Sequence, residues 1–281
     1  MENIIDCHLH LWDVVNNEMV WPTPEDKLLY QNYLVPDFLE SSKDVPHKKC
    51  ILVQCRQKYE ETDWYLKFAE ENDFIVGVVG WVDLKDKDGT LRERLKAYKQ
   101  NPYFSGVRHI VHDEPRDDWL LDENVLKGLA TLEEEGVTYD LLIFQKHVPI
   151  CEQVVKMFPK LNFVIDHMSK PSIDQNDLDS WSENMKELAA YPNVHCKISG
   201  LSIHADSSKP LAPQITPYIK RIIEIFGSAR CLFGSDWPVC LLGITYSGWY
   251  ELVKSSIQHL SNEDQDNIWF KTAQKVYHPN V

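Results

Sequence analysis

Apolar and β-branched residues gather along this chain in short runs at near-regular intervals. The runs are Ile4–His10, Cys50–Cys55, Phe74–Val82, Phe104–Ile110, Val137–Phe144, Asn162–Asp166, Val194–Ile198 and Arg230–Ser235. Runs of this length and makeup read as buried strands. Between them the period changes. Leu91, Leu95 and Tyr98 recur within Thr90–Gln100, Val125, Leu126, Leu129 and Leu132 within Asp122–Glu135, and Val154, Val155 and Phe158 within Val148–Phe158. Spacings of three and four predict helices there, and in Glu60–Asn72, Leu178–Tyr191, Ile215–Phe226 and Trp249–Leu260. End signals agree: Pro149 falls near a first turn, Asp122 or Asp174 is placed to cap an N-terminus, and Gly136 and Gly227 follow helical stretches.

Eight strand-and-helix cycles predict a (β/α)8 TIM barrel formed as a single domain over residues 1–281. A doubly wound open sheet is the rival, but no Gly-x-Gly-x-x-Gly follows a strand. One connection is irregular. Leu11–Val45 is long for a βα loop and carries Trp12, Trp21, Pro22, Pro24, Tyr30 and Tyr33. It either closes over the catalytic mouth as a lid or covers the barrel end.

Composition narrows the partners. A net charge of −14 argues against nucleic acid or an anionic membrane, leaving a small molecule as the expected ligand. The seven cysteines contain no Cys-x-x-Cys pair, so neither a disulfide framework nor a zinc ribbon is expected. A strand directly after Met1-Glu2-Asn3, and no apolar run long enough to span a bilayer, make the expectation cytoplasmic.

The chemistry gathers at strand ends. In Asp6-Cys7-His8-Leu9-His10, positions i and i+2 share a face, so Asp6, His8 and His10 are expected to line up. Paired imidazoles suit metal ligation or polarisation of an oxyanion. Asp166-His167 ends the sixth run and Asp236 the eighth, where a carboxylate serves as metal ligand, general base or turn former. Arg108 sits in an apolar run and needs an anionic or polar partner, either a substrate group or Asp140 or Asp166. Lys197 and Gln54 are candidates of the same kind, and the Gln145-Lys146-His147 cluster also falls at the mouth. His109 faces outward by alternation unless the strand end twists it inward. His47, His112 and His204 read as solvated loop histidines.

Together these residues resemble the amidohydrolase superfamily, and within it the branch containing sugar-lactone and 2-pyrone-4,6-dicarboxylate lactonases. The resemblance runs from Asp6-Cys-His8-Leu-His10-Leu-Trp12 through Gly106-Val-Arg108-His109-Ile-Val and Asp166-His167-Met-Ser-Lys170-Pro171. It continues through Lys197-Ile-Ser-Gly200-Leu to Phe233-Gly-Ser-Asp236-Trp237-Pro238. It implies a hydrolase that opens a sugar lactone, with Asp236 as general base and His8, His10 and His167 as metal or oxyanion histidines. A decarboxylase or dicarboxylate-lactone hydrolase of the same superfamily is the alternative. Arg108, His109, Trp12, Lys197, Gln54 and Trp237 are the implied substrate contacts. The fifth run contains neither a histidine nor a lysine, and the fourth offers Arg108-His109. A binuclear centre is therefore not expected. The resemblance implies no metal, or one divalent ion (Zn or Mn) held by His8, His10, His167 and Asp236.

Overall fold

The computed structural model describes residues 3–46 and 48–281; His47 lies outside the described residues. The strands are β1 (Ile4–Leu9), β2 (Lys48–Val53), β3 (Ile75–Gly80), β4 (Phe104–His109), β5 (Thr138–Leu141), β6 (Phe163–Ile165), β7 (Val194–Ile198) and β8 (Cys231–Phe233). They pair in parallel in sequence order. A bridge between Leu9 and Trp237, with His10 N donating to Trp237 O and Asp236 N to His8 O, both at 2.8 Å, brings the last strand end against the first. The chain forms a TIM barrel.

The helices are α1 (Val35–Ser41), α2 (Tyr59–Glu71), α3 (Leu91–Tyr98), α4 (Glu123–Glu135), α5 (Val148–Met157), α6 (Leu178–Ala189), α7 (Leu211–Phe226) and α8 (Tyr246–Ile257). The Asp122 side chain caps α4 by accepting from Asn124 N, and Gly136 ends it in the left-handed conformation. Asp174 caps nothing: it lies in a separate 3-10 turn, and Asp177 precedes α6. The start of α7 is four residues earlier than expected, because Pro213 and Pro217 hide a helix whose apolar face is otherwise regular.

Two features were not anticipated. The connection after β1 holds the short helix α1, and a Trp12–Tyr33 bridge folds its base back on itself. Beyond α8, α9 (Asn262–Asp266), a π-turn and α10 (Thr272–Tyr277) pass beneath the barrel. There Ala273, Val276 and Tyr277 pack against Ile5, Cys7, Ile51, Val53, Val76, Val164 and Leu232, the inward residues of the strands. Thr138 Oγ1 donates to Val276 O at 2.8 Å. This segment plugs the barrel floor.

The strand interior alternates. Ile4, Cys50, Leu52, Val107, Tyr139 and Leu141 join the layer between sheet and helices, leaving their neighbours in sequence to face the axis. A bulge between Asp6 and Leu9 interrupts that alternation in β1. It corrects the expected alignment of Asp6 with the histidines. Asp6 stays behind β1, where Oδ1 accepts from Ser235 N at 2.8 Å and His8 N at 3.1 Å.

Candidate active site

At the C-terminal ends of the strands, three imidazoles converge on one carboxylate oxygen. Asp236 Oδ1 lies 3.4 Å from His10 Nε2, 3.7 Å from His8 Nε2 and 3.8 Å from His167 Nε2. All four residues are buried. Two bare backbone positions make room for the rings. A Cβ on Gly200 (φ +65°) would fall 2.5 Å from His167 Nδ1, and one on Gly234 would fall 2.8 Å from the His8 Cβ.

Hydrogen bonding orients the rings. His10 Nδ1 lies 2.7 Å from Val53 O, which only accepts, so Nδ1 carries a proton and Nε2 is the nitrogen turned toward Asp236. His8 Nε2 lies 3.1 Å from Arg108 Nη1, which only donates, so the lone pair on that nitrogen accepts from the guanidinium. His167 Nδ1 is held by Ser199 Oγ at 2.8 Å. Burial is the largest influence on the His8 and His167 rings and carries both well below the usual histidine range, so they are neutral. Burial alone would raise the Asp236 carboxyl, but His167, His10 and Lys170 outweigh it and hold Asp236 below its ordinary value.

Imidazole nitrogens and a carboxylate oxygen brought this close together make a donor set for a cation. The spacings approach the edge of a tetrahedron with bonds of about 2.0–2.2 Å, the range of zinc to nitrogen and oxygen. His10 also has the outer hydrogen bond to a carbonyl that commonly orients a metal-binding imidazole. The donor set is close enough to hold one divalent ion, to which His8 Nε2 contributes once released from Arg108. A second grouping, His8, Asp166 and His167, is also close enough to ligate. Side-chain cations occupy it instead: Lys197 Nζ lies 2.9 Å from Asp166 Oδ1 and Arg108 Nη1 2.9 Å from Oδ2. Metal analysis should therefore return at most about one equivalent of divalent ion per chain. Two tightly held ions would overturn this assignment.

A cavity of about 350 Å³ opens above the group, within the ~300–1,000 Å³ of small-molecule sites. His10, Trp12, Arg108, His167 and Asp236 line it, and His8 lies beneath. Four expected substrate contacts lie elsewhere. His109 stays on the outer face, stacked on Trp119 at 4.0 Å, with Nε2 2.7 Å from Glu114 Oε1 and Nδ1 accepting from Trp81 Nε1. Trp237 packs among Tyr33 and Phe38 and donates to Ser41 Oγ. Gln54 donates from Nε2 to Arg108 O. Lys197 lies below the cavity, fully buried, ion-paired with Asp140 and Asp166. Arg108 meets both expectations at once, lining the cavity while paired to Asp166.

Gln145-Lys146-His147 is scaffolding: Gln145 donates to Ser169 O, Lys146 pairs with Asp117, and His147 Nδ1 accepts from Phe144 N. Conversely, His112 and His204, read as solvated, line the cavity with Lys170, Cys55 and Asp113. Their position after strands 2, 4, 6 and 7 was the available signal. Val20 and Trp21 bring the long first connection to the cavity wall.

These features define a TIM barrel whose strand ends carry a His/Asp cluster able to hold a divalent ion, and comparison with known proteins supplies its family. Residues 5–278 match the Amidohydrolase family, and the chain belongs to it. An L-fucono-1,5-lactonase of Burkholderia ambifaria is 32% identical over 85% of this chain and 81% of its own. An L-rhamnono-gamma-lactonase of Scheffersomyces stipitis is 21% identical over 99% and 97%. An amidohydrolase from Burkholderia multivorans, solved with bound zinc, superposes with a TM-score of 0.91 at 31% identity, covering 99% of both chains. No helix among the described residues is long and apolar enough to cross a membrane.

Proposed function

We propose that the chain opens an aldonolactone, of the L-fuconolactone or L-rhamnonolactone kind, to its hydroxy acid. The observation that carries this reading is the convergence of His8, His10 and His167 on Asp236 Oδ1 beneath a cavity sized for a small ring. The similarity to lactonases over most of the chain points the same way. A divalent ion held by these four residues would act as a Lewis acid toward the ring carbonyl.

The chain's own residues supply proton transfer and orientation. The imidazoles all face Oδ1 of Asp236, leaving Oδ2 to take a proton from the attacking water. Water oxygen bonds to the carbonyl carbon, and the bond from that carbon to the ring oxygen then breaks. The proton on Asp236 passes to the departing ring oxygen, so one carboxylate acts first as base and then as acid. Arg108 cannot swing freely, being tied to Asp166, His8 and the Gln54 carbonyl. It presents a fixed positive edge at the cavity floor. Trp12 and Trp21, whose rings meet edge to face at 6.0 Å, bound the site from the first connection.

A panel of aldonolactones followed by a pH-indicator assay tests the proposal. Acid release from at least one 1,5- or 1,4-lactone is expected. Release of carbon dioxide from an aromatic acid, with no lactone opened, would assign the site to decarboxylation instead.

A further inference from the structure

The cavity has a second polar cluster that the ring-opening steps do not use. It is built by an unusual stretch of backbone: His167, Met168, Ser169 and Lys170 all have φ between 52° and 57°. Left-handed conformations are disfavoured for residues with a Cβ, and four in succession persist only where the surroundings hold them. Here Trp181 Nε1 donates to Met168 O at 2.8 Å and Gln145 Nε2 to Ser169 O at 2.7 Å. The consequence is that His167 and Lys170 both reach the same cavity.

Lys170 is unusual in its partners. Its ammonium donates to His112 Nδ1 at 2.8 Å and lies 5.0 Å above the Phe144 ring. Among the described residues no carboxylate comes within ion-pair distance of it. Burial brings it down to about 8, which leaves it charged at neutral pH. A half-buried ammonium with no carboxylate in direct contact is left with hydrogen-bonding capacity to spend on a ligand. Beside it, the His204 ring lines the cavity with Nε2 buried and unpartnered. Burial and Lys170 keep both neighbouring rings neutral, His112 at about 3 and His204 at about 4. The cluster therefore offers N–H groups of Lys170 not spent on His112, beside a His204 ring that walls the cavity. That is a donor-rich edge for neighbouring hydroxyls, near enough to Asp236 for the two charges to influence each other.

We propose that Lys170, steadied by His112 and joined by His204, is a specificity subsite that binds the hydroxyl-bearing edge of the substrate ring. The inference rests on the lactonase reading and deepens it: the His/Asp group attacks the ester, and this cluster selects rings that carry hydroxyls. A site built to hydrogen-bond a hydroxyl rejects the analogue that lacks it, because its polar groups are then left unpaired.

The test compares an aldono-1,5-lactone with δ-valerolactone, a ring of equal size without hydroxyls. In the wild type, kcat/KM should favour the aldonolactone. In Lys170→Met that preference should fall on the order of 10–100-fold, mainly through KM, as expected for a lost charge-assisted hydrogen bond. Lys170→Arg should retain part of it. His204→Leu should reduce the preference in the same direction, and it carries the test if Lys170→Met fails to fold. Equal losses on both lactones, or an unchanged preference, would overturn the subsite while leaving ring opening in place. A wild-type protein that opens neither lactone would overturn the lactonase reading itself, and this inference with it.

Discussion

Asp236→Asn should lower kcat for lactone opening by about 10²–10⁴-fold, the usual effect of removing a general base. The substitution is mild for the fold. Asp236 has φ 61°, and asparagine is among the few side-chain-bearing residues that adopt this conformation readily. Its backbone N–H, which donates to His8 O, and its shape are both kept. What disappears is the negative charge and proton affinity facing three imidazoles. Melting temperature and metal content measured beside the kinetics separate two causes. Loss of turnover with full metal content assigns the loss to proton transfer, whereas loss of both assigns it to ligation. A variant that kept more than about a tenth of wild-type activity would exclude Asp236 as the base.

Much of this site was legible in the sequence because it lies at strand ends, where periodicity and position coincide. The His8/His10 pair, His167 and Asp236 each follow an apolar run, and a parallel barrel brings all such ends to one face. The alternation argument placed His8 and His10 together at the mouth for an incomplete reason. A bulge in β1 detaches Asp6 from their face, and one extra residue in a strand leaves no mark on a pattern of apolar letters. His109 shows the converse. Alternation placed it outward, and the structure keeps it there against Trp119. Lys170, His112 and His204 were legible only as residues that follow strand ends, not as cavity residues. They lie on connections whose course is set by tertiary hydrogen bonds, and no period relates a loop side chain to the direction it points. The floor of the barrel was hidden for another reason: α10 is short, and its Val276 and Tyr277 find their partners only once the barrel has formed.

Lys197→Met should destabilise the protein more than any change at the cavity rim. Lys197 is fully buried below the site, and its ammonium bridges Asp140 and Asp166 while lying 3.3 Å from His8 Nδ1. Tyr277 of the barrel plug donates to Asp140 at 2.8 Å, and Arg108 pairs with Asp166 at 2.9 Å. Two cations thus balance two anions in an interior shielded from bulk solvent. Burial raises Asp140 to about 6 even beside Lys197. Asp166 goes the other way: burial would raise it, but Lys197, His8 and Arg108 outweigh burial and hold it well below the carboxylate range. Removing one partner of a buried pair typically costs about 3–5 kcal/mol, or a melting temperature lower on the order of 10 °C for a chain of this size. The loss should depend on pH. Without the ammonium, the folded-state value of Asp140 rises further, so the folded protein binds that proton more tightly than the unfolded chain. The stability this supplies is present at low pH and lost as pH rises through the folded value. The gap between variant and wild type should therefore narrow below about pH 6 and widen above it, which melting curves across that range will measure. A variant with wild-type melting temperature and a raised KM would instead return Lys197 to the substrate contacts expected from sequence.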